Sequence, residues 1–258
     1  LQYTSGSTGQ PKGVMVSHAN LLANLRAMGR ALKVGPQDVF VSWLPMYHDM
    51  GLIGAWLGSL YYGYSLVLMS PLAFLARPAR WLWAIDRFRG TLSAAPNFAY
   101  DLWLSKLAEA DLDGLDLSSW RVAFNGAEPV SPDTLQRFTE RFVRYGLAPT
   151  ALAPVYGLAE ATLGVAFPPL NRGPLIDRVQ REAFQARGNA LPAEANASAT
   201  LRFVSSGRPL PGHQIRIVDS SGVEVPERSE GHLQFSGPST TGGYYRNPEE
   251  TRRVLRDG

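Results

Sequence analysis

The chain has 258 residues, of which 45% are hydrophobic and six are Trp, enough apolar material for a large buried core and too much for a disordered or low-complexity segment. Its 25 basic and 22 acidic residues are spread along the length and leave a net charge of +3, with no dense Lys/Arg block of the kind that binds nucleic acid. The absence of Cys excludes disulfides, a thiolate nucleophile and a cysteine metal site and fits a cytoplasmic protein, while the longest apolar stretches, 52–60 and 64–69, are too short to span a bilayer.

The chain opens extended and runs at once into Tyr3-Thr4-Ser5-Gly6-Ser7-Thr8-Gly9-Gln10-Pro11-Lys12-Gly13, a turn-prone stretch dense in hydroxyls and glycines. Residues 12–17 return as an extended segment, and Ser17 caps a helix over 19–32 in which Leu21, Leu22, Leu25 and Met28 recur at helical spacing. Next come a buried strand over 39–43, an apolar helix over 50–62 and a strand over 65–69. Helices over 78–88, 97–108 and 132–142, the last capped by Ser131, alternate with extended segments at 91–95, 121–124 and 151–156. Parallel strands need long crossovers, so this alternation predicts an α/β fold over 1–168, a mostly parallel sheet flanked by helices. Residues 171–199, rich in Arg, Ala, Pro and Asn, read as an insertion occupying 169–200. Short extended pieces at 202–206, 214–219 and 231–236, divided by turn signals, then predict a small β-rich unit over 201–258. Because the chain begins without Met inside a strand and stops just after a helix-like segment, it is expected to be a piece cut from a longer protein.

The glycine-rich run carries the first chemical expectation. A plain polar hairpin needs one or two glycines, whereas Gly6, Gly9 and Gly13 interleave here with Thr4, Ser5, Ser7 and Thr8 and are followed by Lys12. Glycine lets backbone N–H groups approach an anion, hydroxyls add donors and lysine adds a mobile charge, so the run reads as a nucleotide-phosphate loop and predicts ATP. Lys12, Lys33 and Lys106 are the only lysines in an arginine-rich chain, which makes the lysine here suggestive. It is not a Walker loop, because Pro11 and an extended 14–16 follow where a helix would have to begin.

Tyr3 to Gly13 resembles the core phosphate motif of the adenylate-forming enzymes, the superfamily of acyl-CoA synthetases, adenylation domains and luciferases. Three further blocks agree in order: Leu44-Pro45-Met46-Tyr47-His48-Asp49-Met50-Gly51-Leu52, Asn125-Gly126-Ala127-Glu128-Pro129 and Val155-Tyr156-Gly157-Leu158-Ala159-Glu160-Ala161-Thr162. The resemblance implies that Thr4, Ser5, Gly6, Ser7, Thr8, Gly9 and Lys12 hold phosphates, and that Asn125, Gly126, Ala127 and Glu128 line the adenine. It implies that Tyr156, Gly157, Leu158 and Ala159 complete the nucleotide site, that Glu160 binds Mg²⁺ and that His48 lies beside the acyl carboxylate, with His48, Lys12 and Glu160 as catalytic residues. Residue by residue, alternatives stand: Tyr156 as an aromatic packed at a strand end, Glu160 as a helix-start carboxylate favoured by the dipole, His48 as a packing histidine. Ala159 stands where many relatives carry a Thr that touches the α-phosphate.

The wording of 44–54 and 156–162 is most similar to the fatty acyl-AMP ligases, and residues 179–190 resemble the insertion that separates those ligases from acyl-CoA synthetases, although a variable surface loop reads the same way. The resemblance implies ATP-dependent activation of a fatty acid to an acyl-adenylate, with release of pyrophosphate and transfer to the phosphopantetheine arm of an acyl carrier protein. A long-chain fatty acyl-CoA synthetase is the alternative within enzymes, and a non-catalytic carrier-protein-binding module of a megasynthase the alternative outside them. Residues 51–60 and 65–69 are apolar enough to wall an acyl tunnel, or to be plain core. Against the family's full pattern the chain is expected to lack a ribose-gripping T-G-D block, a hinge, a C-terminal domain and part of the N-terminal domain, and so to turn over little or nothing alone.

Overall fold

The structure is a computed structural model and describes residues 1–4, 11–194 and 197–255. The first strand, β1 (Gln2–Thr4), pairs antiparallel with β2 (Lys12–Val14), Gln2 opposite Val14 and Thr4 opposite Lys12. Helix α1 (His18–Leu32) begins on a reciprocal cap: the Ser17 hydroxyl accepts from the Asn20 N–H at 3.1 Å while the Asn20 side-chain oxygen accepts from the Ser17 N–H at 3.1 Å. Two of the four donors left over at the helix start are thereby satisfied.

Strand β3 (Val39–Ser42) leads to a departure from expectation, since residues 50–62 do not form one regular helix. Met50–Leu57 is a π-helix, continued by α2 (Gly58–Tyr62). Its first turn presses so closely on the preceding loop that a Cβ on Gly51 would stand 2.4 Å from the Pro45 carbonyl oxygen, and Gly51 and Gly54 leave the backbone room for the wider coil. After β4 (Ser65–Leu68) comes a helix absent from the expected elements, α3 (Pro71–Ala76), with Ser70 as cap and Pro71 in its first turn. Six residues are too few to show a helical period.

Helix α4 (Ala79–Arg87), β5 (Leu92–Ala95), α5 (Asn97–Lys106), β6 (Val122–Asn125), α6 (Pro132–Phe142) and β7 (Leu152–Pro154) complete the main layer, with Ser131 capping α6 as expected. The five strands form an all-parallel sheet in the order β4-β3-β5-β6-β7, flanked by helices. Successive side chains alternate faces. Phe40, Leu92, Ala94 and Phe124 line a cavity on one face. On the other, a slab of buried rings packs behind the sheet, where Trp81 stacks on Trp103 at 4.0 Å between centroids and donates its indole N–H to Ser93 at 2.8 Å.

At Val155 the chain leaves this sheet. Strand β8 (Tyr156–Gly157) pairs antiparallel with β9 (Gly164–Phe167), so the expected single strand over 151–156 is divided between two sheets. Gly157 is required at this corner, because a Cβ there would meet the Leu163 carbonyl oxygen at 2.0 Å. The segment 169–200 contains regular structure, β10 (Ile176–Gln180) and α7 (Arg181–Arg187), and β10 pairs in register with β11 (Thr200–Val204). Strand β12 (Arg208–Pro209) adds to β9, β13 (Gln214–Val218) pairs with β14 (His232–Ser236), and α8 (Pro248–Val254) ends the described chain. Among the described residues no helix is long and apolar enough to cross a membrane.

Candidate active site

A cavity of about 650 Å³ opens where β1, the 48–50 turn, β8 and the loop after β6 converge, and continues between α1, the π-helix and the inner face of the sheet. Its mouth is polar, with Thr4, His48, Asp49, Tyr156 and Glu160, and its interior is apolar, with Leu25, Met28, Leu32, Phe40, Leu92 and Phe124. The mouth lies at the carboxyl ends of the parallel strands, where ligands bind in open α/β sheets.

Of the residues expected to bind nucleotide, Thr4, Ala127, Tyr156, Gly157, Leu158, Ala159 and Glu160 line this cavity together. Ser5, Gly6, Ser7, Thr8 and Gly9 lie outside the described residues. Ala127 takes a left-handed backbone, φ 69°, which turns the 125–129 loop toward the cavity. Asn125 and Glu128 face elsewhere. Asn125 is fully buried and donates to the Asn97 side chain at 3.2 Å, while a Glu128 carboxylate oxygen accepts from the Phe98 N–H at 2.6 Å at the start of α5. Both side chains fix the loop to α5 and leave its backbone to meet a ligand.

Glu160 is held by a residue from the far end of the chain, since the Tyr244 hydroxyl donates to its Oε1 at 2.6 Å. Burial and the bonded carboxylate push the Tyr244 phenol well above its usual range, so it stays a donor. Burial raises the Tyr156 phenol too, helped by the Glu160 charge, and its ring is 40% exposed. Lys12 lies 5.3 Å from the centre of the Tyr244 ring and pairs with Glu250 of α8. Arg253 meets the same carboxylate with two bonds of 2.7 Å, and together Arg253 and Lys12 hold Glu250 down to about 2. A chain of contacts therefore runs from Arg253 through Glu250, Lys12 and Tyr244 to Glu160.

His48 sits at the mouth with its Nδ1 2.8 Å from Asp49 Oδ1, and the bond to Asp49 outweighs burial and raises the imidazole above its ordinary value. Among the described residues no cluster of three or more His, Asp or Glu exists to cage a metal alone. A lone carboxylate fits Mg²⁺ nonetheless, because that ion is held by one or two carboxylates together with substrate phosphates, and Glu160 faces the cavity with one oxygen fixed by Tyr244. Tyr244 and Glu250 escaped the sequence reading, because Tyr244 pairs with a residue 84 positions earlier and Glu250 with one 238 positions earlier, which leaves no local pattern.

A parallel sheet flanked by helices, with a cavity that is polar at its mouth and apolar inside, defines an α/β ligand-binding fold. Residues 1–245 match the family model described as AMP-binding enzyme, and the chain belongs to that family. It is 41% identical over 256 residues to the medium-chain-fatty-acid–[acyl-carrier-protein] ligase TtuA of Teredinibacter turnerae, covering 99% of this chain and 40% of that protein. It is 43% identical over 263 residues to the long-chain-fatty-acid–AMP ligase FadD23 of Mycobacterium tuberculosis, with 99% and 44% covered. The crystal structure of a fatty acyl-adenylate ligase from L. pneumophila in complex with acyl adenylate and pyrophosphate superposes with a TM-score of 0.92 at 41% identity, over 98% of this chain and 44% of that one. An adenylation domain of a keto acid-selecting NRPS module bound to keto acyl adenylate gives 0.90 at 32% identity, over 98% and 48%. The chain thus spans less than half the length of these relatives.

Proposed function

We propose that this chain forms the nucleotide- and acyl-binding part of an enzyme that uses ATP to activate a fatty acid as its acyl-adenylate, for transfer to an acyl carrier protein. The observation that carries this reading is the single cavity whose polar mouth gathers Thr4, His48, Tyr156 and Glu160 and whose interior is apolar. A fatty acid is the substrate class with that polarity, a charged end and a long apolar body. Names of relatives such as TtuA and FadD23 point the same way.

In this reading a carboxylate oxygen attacks the α-phosphorus of ATP and pyrophosphate leaves with the broken P–O bond. The thiol of a phosphopantetheine arm then attacks the acyl carbon and AMP leaves. The first step needs no base, because the carboxylate is already ionised; it needs alignment and charge neutralisation. Tyr156 offers a ring face to the adenine and the backbone around Ala127 meets the purine edge. Lys12 and the hydroxyl-rich loop before it hold the phosphates. Glu160 would hold Mg²⁺, which when bound would supply positive charge against the phosphates. His48, raised toward its charged form, sits beside the substrate carboxylate. The segment 169–200 with its helix α7 is the part of the chain that favours a carrier protein over coenzyme A.

The test is to give the full-length protein ATP, Mg²⁺, a panel of fatty acids and either coenzyme A or a holo carrier protein, and to follow products by mass spectrometry. Acyl-adenylate and acyl-carrier protein are expected. Acyl-CoA as the main product would overturn the carrier-protein assignment, and no adenylate from any acid would overturn the activity.

A further inference from the structure

We propose that Tyr62 and Tyr64 form the floor of the acyl tunnel and set the longest chain it accepts. The inference rests on the acyl reading of the cavity and adds the residues that determine its selectivity.

The tunnel crosses the sheet from one end of the strands to the other. Its mouth residues, His48 and Tyr156, stand beyond the carboxyl ends of β3 and β7, whereas Phe40 and Leu92 lie at the amino-terminal ends of β3 and β5 and line the same space. A four-residue strand covers about 13 Å, so the interior is at least that long. At the deep end Tyr62 and Tyr64 join Leu32, Val34 and Phe40, and Tyr64, only 7% exposed, stacks on Phe40 at 6.4 Å between centroids.

Both phenols are fastened in the same manner. The Tyr62 hydroxyl donates to the Leu25 carbonyl of α1 at 3.1 Å, and the Tyr64 hydroxyl donates to the Gly54 carbonyl of the π-helix at 3.3 Å. Four residues after each of these acceptors stands a glycine that makes room for the ring. A Cβ on Gly29 would lie 2.0 Å from the Tyr62 hydroxyl oxygen, and one on Gly58 would lie 2.5 Å from that of Tyr64. Helix α1 on one side, and the π-helix with its continuation α2 on the other, therefore each give up a side chain where a tyrosine passes and supply the carbonyl that holds it. Burial raises both phenols, which keeps them protonated and donating. Rings bonded at their tips, Tyr64 also stacked on Phe40 and Tyr62 met edge-on by Tyr61 at 4.9 Å, are fixed stops and not swinging gates.

The test measures binding of a homologous series of saturated fatty acids to the full-length protein by calorimetry. Each methylene buried is expected to tighten binding about fourfold, the equivalent of about 0.8 kcal/mol, until the chain meets the tyrosines and the trend breaks. In Tyr64→Ala and Tyr62→Ala the break is expected to move to longer acids. Tyr64→Leu and Tyr62→Leu, which keep more of the packing, serve if the alanine variants unfold on heating. Leu60→Ala alters a nearby apolar side chain that is 66% exposed and outside the cavity, and is expected to leave the break in place. A break at the wild-type length in folded Tyr62 and Tyr64 variants, or an equal shift in Leu60→Ala, would overturn the floor. Failure of the full-length wild-type protein to bind any fatty acid would instead remove the acyl reading, and the floor with it.

Discussion

His48 meets two partners through one nitrogen, and its protonation decides between them. Protonated at Nδ1, it donates to Asp49 Oδ1 at 2.8 Å; neutral with its proton on Nε2, the same atom accepts from the Met50 N–H at 3.2 Å. The raised value of the imidazole means that folding stabilises the charged form. That contribution is fully present below the pH at which an unfolded histidine titrates and is lost as pH rises through the raised folded value. Asp49→Asn replaces the carboxylate that causes the shift with a neutral amide and is expected to bring the His48 titration down toward that of free histidine, followed by ring-proton NMR against pH. An unmoved midpoint would show that Asp49 does not control the charge at the mouth. The residue pair was visible in the sequence, as His48-Asp49, but its geometry was not, because only the start of the π-helix brings the Met50 N–H onto both side chains.

At the scale of elements, the amino-terminal edge of the sheet is closed by one buried ion pair. Arg121, just before β6, places Nε and Nη2 on the two oxygens of Asp38 at 2.9 and 2.8 Å and its Nη1 on the last carbonyl of α1, Leu32, at 2.9 Å. Burial pushes the Asp38 carboxyl up, yet the bonds from Arg121, Thr91 and Gly35 outweigh it and hold the group below its ordinary value. Stability from Asp38 is thus present above the unfolded carboxylate range and is lost as pH falls through the lowered folded value. Arg121→Met leaves a 2% exposed carboxylate without its partner and is expected to cost about 3 kcal/mol in urea unfolding at neutral pH. That loss should shrink in acid, where the stranded carboxyl is protonated in both states. A loss independent of pH would mean that packing, not charge, was removed. Helices and strands of this layer were readable wherever their signals are local: the Ser17 and Ser131 caps, the leucine spacing of α1, the β-to-α alternation. Helix α3 was too short for a period, and the π-helix shares its composition with any apolar helix. The strand division at Val155 depends on pairing with β9, which no residue of 151–156 announces.

At the scale of the molecule, four segments distant in sequence are tied by a buried polar knot on the cavity wall. Asn24 of α1 behaves as an extra strand residue toward β9: its amide donates to the Gly164 carbonyl at 2.9 Å and its side-chain oxygen accepts from the Gly164 N–H at 3.0 Å. The same amide donates to Ser239 Oγ at 3.0 Å, while the Thr162 hydroxyl donates to the Ser239 carbonyl at 2.8 Å and His213 Nε2 lies 2.6 Å from the Ser239 hydroxyl. None of this was legible in a sequence where Asn24 reads as a polar interruption of an apolar helix face. Asn24, Thr162 and Ser239 are fully buried, so a partner deleted here leaves donors and acceptors stranded at about 1–3 kcal/mol each. Asn24→Ala strands Gly164 on both of its backbone groups and loosens the wall formed by Leu163 and Gly164, which line the cavity beside Met28. The expected result is a loss of about 3 kcal/mol in urea unfolding with weaker fatty-acid binding, and a single transition by fluorescence and by circular dichroism. Because the knot joins α1, β9 and the 237–241 loop, it makes the parallel sheet and the β-rich part fold as one cooperative unit. Two separated transitions in the wild-type chain would show that the knot is not strong enough to couple them, and Asn24→Ala would then be expected to destabilise only one.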